Sequence, residues 1–277
     1  MSFPEFLVIG AMRSGTTWLD KILRSHPQIF LPEQRKEVHF FDRYYDRGLT
    51  WYETFFPAEQ VRGENRIPGE ITPMYLYDEN VPGRIFNDLP GCKFIAILRN
   101  PVKRAFSQYC LSIRDNNEKR SFGEYILQEP DVFARGLYSI QIKRYFALFQ
   151  KNKFHFLIFE KAVSQPEVAL KKIASFLNIE YLGFDAGYFS VRENKSYQPR
   201  LSGLYAMARK IGRKFRDNDI DWVVNISKKL KIQTLFGKHD RLPKLEENLY
   251  FELLEKYKLD IRILEDLIQE DLGIWLK

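Results

Sequence analysis

The amino-acid sequence predicts an α/β fold, a central parallel sheet flanked by helices, with extra helices toward the C-terminus. Three observations carry this. Short apolar runs at 6–10 (FLVIG), 93–101 (KFIAILRNP) and 154–160 (FHFLIFE) stop at Gly, Asn-Pro or a charge, as buried strands do. Each run is followed by apolar residues at helical spacing, and strands alternating with helices favour parallel pairing beneath helices on both faces. The first strand–helix junction holds two glycines separated by four residues, a spacing that suits a phosphate.

In chain order, strand 6–10 leads into a helix over 16–25, where Trp18, Leu19, Ile22 and Leu23 recur on one face. His26, in SHPQI, caps or packs after that helix. The strand ended by Asn100-Pro101 is followed by the helical AFSQYCLSIRD, and the third strand by EVALKKIASFLNI. Residues 202–240 break the alternation: LYAMARKIGRKFRDND and DWVVNISKKLKIQTLFGKH read as basic amphipathic helices. They suit a lid or acceptor rim, ordinary packing, or a membrane-surface patch. A last long helix runs to about Glu270, with Leu253, Leu254, Tyr257, Ile261, Leu264 and Leu267 at helical spacing. No internal repeat, linker or composition break appears, so residues 1–277 read as one domain.

The chain of 277 residues is 45% hydrophobic, with 23 Phe and 15 Tyr, which argues for a packed core. Its net charge of +7, the difference between 43 basic and 36 acidic residues, is too modest an excess, without an RNA-recognition or zinc signature, to suggest nucleic acid. Cys92 and Cys110 are the only cysteines, so reduced thiols are expected rather than a disulfide framework. His26, His39, His155 and His239 are dispersed and imply no metal. With no basic leader and no apolar stretch of about 20 residues, a cytoplasmic protein without a transmembrane segment is expected.

Gly10 and Gly15 precede Thr16 and Thr17, matching the glycines of G-x-x-x-x-G-K-[ST] with Thr16 in the lysine slot. A strand end delivers this loop to a helix N-terminus, where free N–H groups and the helix dipole favour an anion, completing the prediction of a P-loop-like nucleotide-binding core. Arg13 lies inside the loop. Its guanidinium could grip an anionic group with the Thr16 and Thr17 hydroxyls, or it faces solvent and the glycines merely turn the chain. Two further clusters stand out: KEVHFFD at 36–42, with Glu37 and His39 on one face if extended, and ILRNPVKRAFSQY at 97–109, with Arg99 ending a strand and Ser107 about two turns into a helix.

Taken together these motifs resemble the sulfotransferases that use 3'-phosphoadenosine-5'-phosphosulfate, and most closely the branch shared by heparan sulfate sulfotransferases and many bacterial enzymes. The family's [KR]-x-G-T-[TR], which binds the 5'-phosphosulfate, is similar to Arg13, Ser14, Gly15, Thr16 and Thr17. Its L-R-[DN]-P-x-x-R-x-x-S-x-Y, which binds the 3'-phosphate through Arg and Ser, is met by Leu98, Arg99, Asn100, Pro101, Arg104, Ser107 and Tyr109. Its E-x-H-F-F element resembles Glu37, His39, Phe40 and Phe41. Similarity continues through GEITPMYL, NKSYQPRLSGL and the C-terminal LEDLIQEDLGIWL.

The resemblance implies in-line sulfuryl transfer to a hydroxyl of a carbohydrate, lipid or small metabolite, without a metal, leaving 3'-phosphoadenosine-5'-phosphate. Glu37 would be the base, or His39 the base with Glu37 positioning the acceptor. Arg13 and the amides from Gly15 to Trp18 would hold the leaving group, and Arg99 and Ser107 the 3'-phosphate. Arg200 closes over that phosphate or is a surface residue, and Arg104 is read as structural. The aromatic-rich stretch 43–56 lines an acceptor cleft or packs the core. Two departures appear: Arg13 where many relatives have Lys, and Glu70-Ile71-Thr72-Pro73 where the heparan type has E-K-[TS]-P. The competing readings are a P-loop kinase, which lacks its Lys here, and a non-catalytic nucleotide-binding relative.

Overall fold

The structure, a computed structural model, describes residues 3–58, 66–185 and 242–277 and the single positions 187, 207, 211 and 212. Arg200 and nearly all of the 202–240 segment lie outside the described residues.

Five strands form a parallel sheet in the order β2-β3-β1-β4-β5: β1 (Phe6–Gly10), β2 (Ile29–Phe30), β3 (Ile67–Ile71), β4 (Lys93–Leu98) and β5 (Phe154–Ile158). Strands β1, β4 and β5 are those the apolar runs predict. Strands β2 and β3 are additional, and β3 carries Pro68 and Gly69, residues that weaken a strand reading. Gly69 is required there, because a Cβ would fall 2.1 Å from the Phe6 ring on β1.

The period of two along each strand divides the core between the two faces. On one, Phe6, Val8, Ile71, Ile95, Ile97 and Leu157 pack with Trp18, Leu19, Ile22 and Leu23 of α1 (Thr16–Ser25). Other helices follow along the chain: α2 (Phe40–Arg43), α3 (Gly48–Glu53), α4 (Val81–Asp88), α5 (Pro101–Asn116), α6 (Phe122–Gln128), α7 (Pro130–Ala134), α8 (Tyr138–Phe146), α9 (Phe159–Ser164), α10 (Pro166–Leu177) and α11 (Glu247–Ile268). Leu170, Ile173 and Leu177 of α10 join the same cluster as α1. On the opposite face Phe94 lies 5.5 Å from Tyr145 of α8 and 4.7 Å from Phe149. Each such aliphatic or aromatic side chain contributes about 1.5–3 kcal/mol when fully buried.

His26 caps α1 as expected. It accepts from Gln28 N–H at Nδ1 (3.1 Å) and donates from Nε2 to Glu180 O (2.7 Å), which assigns the neutral Nε2–H tautomer. The long C-terminal helix ends at Ile268, with Tyr257, Ile261 and Leu264 buried. Among the described residues no helix is long and apolar enough to cross a membrane.

The chain divides into two compact units. The first holds the described residues up to Pro101, those from Leu137 to position 187, and Tyr257–Lys277; the second holds Val102–Gly136 and the described residues from position 207 to Lys256. The whole sheet is in the first. In the second, Ser121 and Glu124 form a reciprocal capping box that starts α6. There Arg104 is fully buried, donating to Gln108 Oε1 (2.8 Å) and to the Val132 carbonyl, a structural role. Ser107 is half-buried on α5 in this second unit.

Candidate active site

Chain order fixes where a site can form. From β1 the chain first builds β2 and β3 on one side of the sheet and then β4 on the other. The carboxyl ends of β1 and β4 therefore flank a topological switch point, where open α/β sheets leave a crevice. Arg13 and Arg99 both emerge there, and Arg99 Nη1 donates to the Arg13 carbonyl at 3.2 Å. The Arg99 guanidinium also lies 5.0 Å from the Phe159 ring centre. Behind it, Glu160 accepts from Asn100 N–H (3.1 Å) and from the indole of Trp275 (2.9 Å).

The loop after β1 turns on residues in left-handed conformation, Arg13 at φ 69 and Gly15 at φ 100. A Cβ at Gly15 would lie 2.4 Å from the Phe159 ring, so glycine is needed for both conformation and space. Gly15 caps α1 without a side-chain hydrogen bond, and the first turn holds no acidic residue; the N–H groups of that turn have no intrahelical acceptor. Ser14 is fully buried, and its Oγ has no hydrogen-bond partner among the described residues. Thr16 and Trp18 are buried. The Trp18 side chain belongs to the core cluster.

The KEVHFFD segment is not extended. His39 adopts φ 60 and caps α2, yet Glu37 and His39 still meet, Glu37 Oε2 lying 3.3 Å from His39 Nε2. His39 Nδ1 lies 2.8 Å from Asp42 Oδ2. Burial pulls the imidazole pKa down, but the hydrogen bonds to Asp42 and Glu37 outweigh it and leave the group above its ordinary value near 6.5. Exposure rises along the row, with side chains 4%, 14% and 37% accessible for Asp42, His39 and Glu37. Glu37 is the member that faces outward.

Two residues in this region were assigned no role in the sequence analysis. Lys36 donates from Nζ to Thr17 Oγ1 at 3.0 Å, tying the Glu37 segment to the start of α1 and the loop before it; its adjacency to Glu37 in KEVHFFD was the available signal. Glu70 is fully buried at the end of β3. Its carboxyl accepts from Tyr52 OH, Thr72 Oγ1 (2.5 Å) and Tyr75 OH (2.8 Å). Thr72 Oγ1 in turn accepts from His39 N–H, and Tyr75 OH from Phe41 N–H, each at 3.3 Å. Desolvation raises the Glu70 pKa against those hydrogen bonds. Ile71, at the position where the heparan-type pattern has Lys, is 1% exposed within the core cluster. In the stretch 43–56, Tyr52, Phe55 and Phe56 are core residues, while Tyr44 and Trp51 are half-buried against the Arg47 guanidinium, each ring 4.8 Å away.

A family model described as a sulfotransferase domain matches residues 3–197. The chain belongs to the sulfotransferase family. Among relatives, the chain is 38% identical over 138 residues to the membrane-associated sulfotransferase kil1 of Dictyostelium discoideum, covering 48% of this chain and 29% of that protein. It is 30% identical over 195 residues to mouse (Mus musculus) heparan sulfate glucosamine 3-O-sulfotransferase 6, covering 68% of this chain and 56% of that one. The matches thus span well under two thirds of those relatives. Among solved structures, a sulfotransferase from Alicyclobacillus acidocaldarius superposes with a TM-score of 0.71 at 26% identity over 100% of both chains. The parallel sheet and its crevice are accordingly those of a sulfotransferase fold.

Proposed function

We propose that the protein, acting as a single domain over its 277 residues, transfers the sulfuryl group of 3'-phosphoadenosine-5'-phosphosulfate in line to a hydroxyl of a carbohydrate, lipid or small metabolite. The observation that carries this reading is the Lys36–Thr17 hydrogen bond, because it holds a segment that pairs an outward carboxylate with an imidazole against a loop suited to phosphate. The acceptor oxygen forms a bond to sulfur, the bond from sulfur to the 5'-phosphate oxygen breaks with its electron pair on that oxygen, and the acceptor proton passes to Glu37. Glu37 suits the base because it is the exposed member of its row. His39 has a carboxylate at each ring nitrogen and suits positioning Glu37 better than accepting a proton.

Arg13, the buried Ser14, Thr16, Thr17 and the first-turn amides suit the 5'-phosphosulfate, where preorganised donors stabilise charge developing on the leaving group. Arg99 suits the 3'-phosphate by its place at the switch point, and Ser107 and Arg200 are assigned to that phosphate by family resemblance. Calorimetric titration tests the donor. The 3',5'-bisphosphate product should bind tightly, adenosine 5'-phosphate and ATP weakly, and Arg99→Ala should erase the difference between bisphosphate and monophosphate. Equal or tighter binding of ATP would sink the proposal in favour of a kinase.

A further inference from the structure

We infer that Lys36 is a second catalytic cation, whose ammonium group passes from the Thr17 hydroxyl to the 5'-phosphosulfate when the donor binds; this rests on the donor reading above. Its position is the starting point. Thr17 is the second residue of α1, and Lys36 Nζ sits 3.0 Å from its Oγ1. That is the positive end of the helix dipole, where a cation is disfavoured. The first turn offers no acidic residue to compensate. The nearest described carboxylate oxygen, Glu37 Oε1, is 3.9 Å from Nζ, at the outer limit of an ion pair, while the other oxygen of Glu37 faces His39.

Arg99, whose guanidinium donates to the Arg13 carbonyl in the same loop, adds positive charge close to that helix end. A multiply charged anion resolves this concentration of charge, and the donor's phosphosulfate is one. Reach and chemistry agree: the Lys36 side chain is 31% exposed, and a lysine is a point charge on a flexible stem with three donors. A hydroxyl that accepts from Lys36 keeps its own proton for the same anion. Lys36 stays protonated throughout the transfer written above, so its contribution is charge at the breaking sulfur–oxygen bond, beside the residue that takes the acceptor proton.

The test uses the full chain, with 3'-phosphoadenosine-5'-phosphate and adenosine 3'-phosphate as calorimetric probes. In Lys36→Met the bisphosphate should bind about ten- to hundredfold more weakly, the loss of one charge-assisted hydrogen bond, while adenosine 3'-phosphate, lacking the 5'-group, is unaffected. Lys36→Arg should recover most of the affinity. The apo melting temperature of Lys36→Met should equal or exceed that of wild type, since a cation leaves a helix N-terminus. Bisphosphate affinity within twofold of wild type in Lys36→Met, or a loss of affinity accompanied by a lower apo melting temperature, would overturn the inference and leave the donor reading intact. Failure of the wild-type protein to bind the bisphosphate would remove both.

Discussion

Glu70 and His39 show how single groups govern this site. Glu70 touches nothing that reacts, but its carboxyl is the acceptor for three buried hydroxyls, two of which hold the backbone of His39 and Phe41. Glu70→Ala leaves those hydroxyls without their acceptor, and at about 1–3 kcal/mol for each unsatisfied buried group the variant should lose about 3 kcal/mol or more of stability in urea denaturation. A loss below about 1 kcal/mol would show that water or repacking replaces the carboxyl. His39 makes a signed prediction about pH. Its folded pKa lies above the ordinary value near 6.5, so its stabilisation is complete below that value and fades as pH rises through the folded pKa. The stability gap between wild type and His39→Gln should therefore narrow as pH rises above about 6.5. A gap independent of pH would mean that the imidazole is not charged between its two carboxylates.

At the scale of elements, the β1–loop–α1 unit depends on one residue without a side chain. Gly15 combines φ 100 with an approach that would bring a Cβ within 2.4 Å of Phe159, whose ring also lies against Arg99. Gly15→Ala should therefore cost about 1–3 kcal/mol of backbone strain and displace the Phe159 ring, and with it Arg99. Calorimetry should find bisphosphate affinity reduced at least tenfold; unchanged affinity would show that Phe159 moves without disturbing Arg99. Elements were unevenly legible in the sequence. The first helix, Thr16–Ser25, coincides with its predicted span, because its apolar spacing and the preceding Gly mark both face and start. Strand β3 was hidden: Pro68 and Gly69 argue locally against a strand, and the need for Gly69 is decided by the Phe6 ring of the neighbouring strand.

For the whole molecule, the strand order β2-β3-β1-β4-β5 creates the switch point, bringing a loop at residues 11–15 together with Arg99, far along the chain. A ligand that bridges both should stabilise the folded state in proportion to its occupancy, by about 2.7 kcal/mol at a hundredfold excess over its dissociation constant. The bisphosphate should accordingly raise the melting temperature of wild type by several degrees, and ATP at the same concentration should not. An equal shift with both would assign the crevice to phosphates in general.

The sequence by itself determined the fold class, the glycine loop between β1 and α1, and the family, since these reside in local patterns: strand–glycine–helix junctions and short motifs whose spacing a linear chain preserves. Candidate residues Arg13, Glu37, His39 and Arg99 were legible in the same way. The tertiary structure alone decided that Asp42 sits behind His39, that Glu70 anchors the segment from beneath, and that Lys36 reaches Thr17. These partnerships join side chains across turns and strands, and a hydrogen bond depends on distance and burial, which parallel pairing sets and residue spacing does not record.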